Sequence, residues 1–163
     1  MTSNKPHPQL FFEDFAVGQV YPGQERTLGE EAFSMFSAIT GDVHPIHYDV
    51  EYASRTRFRK RIAHGFLVMG TSALGAVALS EQLFDSMIVF LEQDGKFLRP
   101  VLIGDRIRTE FEVEAVEPKP AKGMGLVRFI VRLYGNDDQL AMLGHHSYLI
   151  KTRHGKKNVE KDL

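Results

Sequence analysis

The chain has 163 residues, 20 Lys+Arg against 21 Asp+Glu, and no cysteine. That length is one ordinary domain, and the net charge of -1 gives no whole-molecule attraction to nucleic acid or to an anionic membrane. Absence of cysteine excludes a disulfide framework, a thiolate nucleophile and Cys-ligated zinc or iron–sulfur centres, and it suits a cytoplasmic, reducing compartment.

The first residues, 1–9, are polar with two prolines and read as a flexible lead. They lack the apolar core of a signal peptide. Residues 10–152 read as a single domain, and 153–163 as a charged tail. Within the domain, Glu30 and Glu31 precede an apolar stripe of Phe33, Met35, Phe36 and Ile39. That order predicts a helix with an acidic first turn, stopped at Gly41. A polar loop, 41–47, follows. Asp49 then predicts the N-cap of a short helix over 49–57.

Residues 65–80 are 16 residues without a charge, including three glycines. A membrane span needs about 20 mostly apolar residues, so the run predicts a buried helix extending over 65–83 rather than a span. Gly65, Gly70 and Gly75 within it predict close approach to a sheet. Strands are predicted over 88–98, with an interruption at 93–95, and over 106–116, 126–134 and 140–150. In 106–116, Ile107, Thr109, Phe111, Val113 and Ala115 face one side, and Arg108, Glu110, Glu112 and Glu114 the other. The resulting class is α+β: a sheet with one wet face, its dry face curved around one buried helix.

The chemistry-bearing segment is Gly41-Asp42-Val43-His44-Pro45-Ile46-His47. A decorated polar turn would look similar. The chemical alternative is a general acid/base pair of Asp42 and His47, because Pro45 stiffens the span between them. A metal site on Asp42, His44, His47 and Asp49 is a third alternative. It is the weakest, since His-X-X-His across a proline lacks the helical i, i+4 geometry of the usual zinc helix. Arg55, Arg57, Arg59, Lys60 and Arg61 put five cations into seven residues: either a solvated loop or a patch for phosphates or an acidic partner. His145 and His146 alternate in a strand, one in and one out. Residues 65–80 carry no acidic side chain.

The string from Phe36 to Asp49, followed by Tyr52-Ala53, resembles the signature of MaoC-like dehydratases and R-specific enoyl-CoA hydratases, Gly-Asp-X-Asn-Pro-aliphatic-His. Residues 12–18, Ala63-His64-Gly65-Phe66-Leu67, Phe97-Leu98-Arg99-Pro100-Val101 and Gly104-Asp105 resemble further family segments in the same order. His44 stands where the family has Asn. The resemblance implies a hot-dog fold, a curved antiparallel sheet around one long helix, usually dimerised through the sheets. It implies reversible hydration of a trans-2-enoyl thioester to a 3-hydroxyacyl thioester, with Asp42 and His47 on one water and the Gly65 N–H as oxyanion donor. His44, Pro45, His64 and Phe66 are the adjoining substrate-binding candidates. The five cations from Arg55 to Arg61 are candidates for CoA phosphates or an acyl carrier protein. The His64 side chain itself reads as an ordinary turn residue. No metal and no redox cofactor is expected, no nucleic acid and no membrane partner. The expected assembly is a homodimer or higher oligomer, paired through the apolar stretch 87–98. A non-catalytic acyl-thioester-binding subunit is the other reading of the same fold.

Overall fold

The computed structural model describes residues 7–154. The rest of the expected lead and tail, 1–6 and 155–163, lies outside the described residues. Five strands, β1 (Val20–Thr27), β2 (Met87–Phe97), β3 (Arg106–Lys119), β4 (Met124–Tyr134) and β5 (Leu140–Lys151), form one antiparallel sheet in the order β1-β3-β4-β5-β2. The period-2 pattern of β3 is obeyed. Ile107, Thr109, Phe111 and Val113 are buried. Opposite them, Arg132 lies across from Glu110 and reaches Glu112 at 2.6 Å, and Arg128 reaches Glu114 at 2.8 Å. The strand also continues past its expected end, because Pro118 and Lys119 still pair with Gly125 and Met124.

β2 runs through the expected interruption. Asp94 and Gly95 stay paired with His145 and Gly144, and a Cβ on Gly144 would stand 2.2 Å from the Asp94 carbonyl oxygen. Glycine at 144 is what lets the two backbones meet. β1 is the strand that pattern reading misses, since Pro22, Gly23 and mostly exposed side chains carry no alternation. Its pairing with β3 holds it.

α1 (Glu30–Thr40) forms as expected, closed by Gly41 in the left-handed region at φ 73°. α2 (Pro45–Tyr48) is a single helical turn inside the polar loop, with proline at its start. α3 (Val50–Ser54) is shorter than expected and is capped by Asp49, whose Oδ1 accepts from the Tyr52 N–H at 2.9 Å.

The single long helix over 65–83 is not formed. α4 (Gly65–Thr71) is followed by a 3-10 turn at Leu74–Ala76 and by α5 (Leu79–Gln82). Two local causes are visible. The hydroxyls of Thr71 and Ser72 bond back to the carbonyls of Val68 and Met69 and compete with the helix. Val77 is extended and bridges Gly23 beside β1. The segment is therefore buried on one side only: Val68, Leu74, Ala76, Val77, Leu79 and Leu83 face in, whereas Phe66 is 77% exposed. Gly70 and Gly75 meet nothing that a Cβ would touch, so the close-approach reading holds for Gly65 alone, where an added Cβ would stand 3.0 Å from the Phe97 ring.

The broken helical run packs on the dry face of the sheet. Leu74, Val77, Leu79 and Leu83 share one core with Phe111, Phe129, Val131 and Ile150. Leu28, Phe33, Ala63, Val68, Ile107 and Met142 form a second, and this one floors the site. The two ends of the domain are tied down. Gln9 bonds to the Glu81 carbonyl at 2.8 Å, and Arg153 to Asp14 at 2.7 Å. No helix among the described residues is long and apolar enough to cross a membrane.

Candidate active site

Three short anchors fix the polar loop. The Asp42 N–H donates to Thr40 Oγ1 at 3.2 Å, and Asp42 Oδ1 accepts from the His44 N–H at 3.2 Å. His44 Nδ1 then accepts from the Ile46 N–H at 3.2 Å and caps α2. An Asn side-chain oxygen at this position would offer the Ile46 N–H the same kind of acceptor. Its ring is 5.8 Å from that of Tyr52 and 6.1 Å from that of His47.

His47 Nδ1 lies 2.7 Å from the Ile62 carbonyl oxygen. A carbonyl only accepts, so Nδ1 carries the proton and Nε2 keeps its lone pair. The segment that presents this carbonyl is itself anchored: Ile62 bridges Leu102, the Ala63 N–H donates to Val101 at 2.7 Å, and the Ile103 N–H donates to Arg61 at 3.0 Å.

His64 follows immediately and is 2% exposed. Its ring stacks on that of His47, with centroids 3.7 Å apart and planes at 28°. The Tyr48 hydroxyl donates to the Phe33 carbonyl at 2.9 Å, so toward His64 Nε2, at 3.1 Å, the phenol oxygen accepts. The Asp42 carbonyl also accepts from His64 Nε2, at 3.3 Å. Burial, then the adjacent His47, pushes the His64 imidazole below its ordinary value, and the Asp42 side opposes them. Ring-nitrogen and carboxylate atoms of Asp42, His47 and His64 lie within 4.8 Å of one another. That spacing would accept one bridging water or one small cation. The loop-only metal set does not assemble: the group that clusters among the described residues is Asp42, His47 and His64, while His44 and Asp49 each cap a helix.

Beside the pair is a cleft of about 300 Å³, lined by Phe58, Ile62, Ala63, Val68, Phe97 and Val101, with Gly65 at the start of α4. This is the lower end of small-molecule pocket volumes, ~300–1,000 Å³. Ile62 joins pair and cleft, since its carbonyl holds His47 and the residue lines the cleft. No side chain caps α4, so its first N–H groups, Gly65's included, are open at that end. Pro45 starts α2 next to the pair, while Phe66 points away into the open.

The five cations do not gather into one patch. Arg57 lines the cleft and stacks over Phe58 at 4.7 Å. Arg55 pairs with Glu51 at 3.4 Å, Arg59 bonds to the Ser54 carbonyl at 3.2 Å, and Lys60 is exposed. Arg61 is turned inward against Glu30, whose carboxyl it holds below the usual range through that hydrogen bond. Arg99, which no charge run announces, lines the same cleft as Arg57. His64, expected as a substrate-binding candidate with the side chain of an ordinary turn residue, is instead buried with its ring stacked on His47. Its only signal was its position between Ala63 and Gly65. His145 and His146 do split as expected: His145 sits on the outer face 3.0 Å from Asp94, and His146 is buried against Phe90, Phe111 and Tyr148.

The model of the MaoC-like domain matches residues 14–131. The (R)-specific enoyl-CoA hydratase of Aeromonas caviae is 30% identical over 133 residues, 81% of this chain and 92% of that protein. The 3-hydroxybutyryl-CoA dehydratase of Methylorubrum extorquens is 34% identical over 110 residues, 68% of each chain. Among solved structures, a monoamine oxidase regulatory protein from Archaeoglobus fulgidus superposes with a TM-score of 0.82 at 31% identity, covering 90% of this chain and 97% of that one. The sheet and its helical layer are the hot-dog fold expected from the sequence.

Proposed function

Because the chain belongs to the MaoC-like domain family, we propose that it catalyses the reversible hydration of a trans-2-enoyl thioester to a 3-hydroxyacyl thioester. One observation carries the reading: Asp42 and His47 lie on one anchored loop with a carboxylate oxygen and a ring nitrogen within 4.8 Å of each other, and the bond of His47 Nδ1 to Ile62 leaves Nε2 as the nitrogen with a lone pair. One of the two takes a proton as the water oxygen adds to C3. The C2–C3 electron pair moves toward the thioester carbonyl, and the pair returns a proton to C2. The Gly65 N–H at the open end of α4 holds the enolate oxygen as its charge develops. Dehydration runs the same steps backwards.

The acyl chain occupies the apolar cleft, and Arg57 with Arg99 faces the phosphates of CoA or the acidic surface of a carrier protein. The relatives' names supply the R configuration of the product and the CoA thioester. The chemistry needs no metal or redox cofactor, so dialysis against a chelator leaves the rate unchanged, whereas a loss restored by zinc or manganese would move Asp42, His47 and His64 into a ligand role. The active unit is a homodimer paired along β2. That strand is an edge of the sheet, and Phe90, Leu91 and Phe97 are exposed on it.

The test is a panel of trans-2-enoyl-CoA thioesters of graded length, followed by loss of the conjugated enoyl absorbance. Turnover with at least one chain length is expected. Folded protein inert toward the whole panel would overturn the assignment.

A further inference from the structure

We propose that His64 is the positioning residue of the site, a buried imidazole that grips Asp42 through its backbone carbonyl and His47 through its ring face. This rests on the reading of Asp42 and His47 as the acid/base pair. Three observations carry it. First, the only proton that Tyr48 owns goes to the Phe33 carbonyl, so the hydrogen on His64 sits on Nε2, shared between the Tyr48 oxygen and the Asp42 carbonyl. The tautomer is thereby set by α1 and α2 rather than by the site itself. Secondly, the opposite nitrogen, Nδ1, is buried with no hydrogen-bond partner among the described residues. A buried lone pair without a donor weakens a fold, so stability alone does not account for an imidazole here. Thirdly, the ring is enclosed by others, stacked on His47 at 3.7 Å with the planes at 28° and flanked by Phe36 at 4.6 Å and Phe33 at 5.8 Å.

Neither simpler side chain does both jobs. Phenylalanine would stack on His47 and leave the Asp42 carbonyl loose. Glutamine would donate to Asp42 and leave His47 able to tilt. A neutral ring is also required, since a cation at His64 would oppose the imidazolium that His47 becomes when it takes the water's proton.

The experiment measures kcat, KM and the melting temperature of His64→Phe, His64→Gln and Tyr48→Phe on one enoyl thioester, beside Asp42→Asn. A displacement of the pair by a fraction of an ångström to 1 Å lowers kcat about 10- to 100-fold in both His64 variants, with KM within about twofold. Tyr48→Phe, which frees the tautomer but keeps the ring, gives a smaller loss in the same direction. His64→Phe removes the orphaned nitrogen, so its melting temperature does not fall, and an unchanged fold with a slow enzyme separates positioning from a structural role. Wild-type kcat in either His64 variant, with Asp42→Asn inactive, overturns this proposal and leaves the acid/base assignment standing. Should His64→Phe fail to fold, wild-type kcat in Tyr48→Phe overturns it equally. An active Asp42→Asn removes the assignment and the proposal together.

Discussion

His47 Nδ1 is bonded to the Ile62 carbonyl at 2.7 Å, and that bond decides which nitrogen of His47 does chemistry. With Nδ1–H committed to the protein, only Nε2 is left to take a proton from water. His47→Ala and Asp42→Asn should therefore each lower kcat about 10²- to 10⁴-fold while melting like the parent. The double variant should be barely slower than either single one, because both residues act on one water. Steady-state kinetics and a thermal melt of the three variants check this. Near-parental turnover in either single variant contradicts the mechanism.

His44 caps α2 through Nδ1, in the place of the family's Asn. His44→Asn keeps an acceptor for the Ile46 N–H and should retain both stability and rate. His44→Leu loses the cap at a cost of about 1 kcal/mol and loosens the turn that carries His47. A urea melt and kcat for the two variants decide the matter. Equal behaviour of Asn and Leu would show that the cap is idle.

Arg57 and Arg99 line the cleft, whereas Arg61 is packed against Glu30. Arg57→Ala and Arg99→Ala should raise KM for CoA thioesters several-fold, on the order of 1 kcal/mol each in a screened site, with kcat nearly unchanged. KM of the parent should rise with salt. Short pantetheine thioesters, which lack the nucleotide phosphates, should show neither effect. Arg61→Ala should lower the melting temperature instead. An equal rise in KM for both substrate types would contradict phosphate binding.

Burial among Phe90, Phe111 and Tyr148 pushes the His146 imidazole down to about 4. In the unfolded chain the same ring protonates near its ordinary value of about 6.5. Between those values the unfolded state binds more protons, so stability is complete above about 6.5 and falls as the pH drops toward 4. The loss is on the order of 2–3 kcal/mol at ~1.4 kcal/mol per unit. His146→Leu should flatten the melting temperature across that window, whatever it does to the absolute value. An unchanged slope would show that another group carries the acid sensitivity.

β2 pairs with β5 on one side and presents its other backbone edge with Phe90 and Leu91 exposed. Sedimentation at micromolar concentration should show a species of twice the 18.5 kDa chain mass. Phe90→Asp and Leu91→Lys should shift it toward monomer and lower activity in step. An active, monodisperse monomer would exclude the paired assembly.

Features under short-range control are legible in the residues alone. The alternation along β3, and less strictly along β4, follows from one face of a pleated strand being wet. The end of α1 follows from Gly41, and the stiffness of the Asp42–His47 loop from Pro45. The remaining features depend on distant partners that local chemistry does not name. The run at 65–83 is apolar enough for one helix, and breaks because Val77 finds a strand partner in Gly23, 54 positions earlier in the chain. β1 exists because β3 accepts it, not because its residues alternate. Arg61 leaves the basic run because Glu30 on α1 is there to meet it. Most telling is His64, an unremarkable turn residue in one dimension, which is carried under His47 by the pairing of 61–63 with 101–103 and locked by Tyr48. Periodicity records that a residue is buried; only the folded chain supplies the group it is buried against.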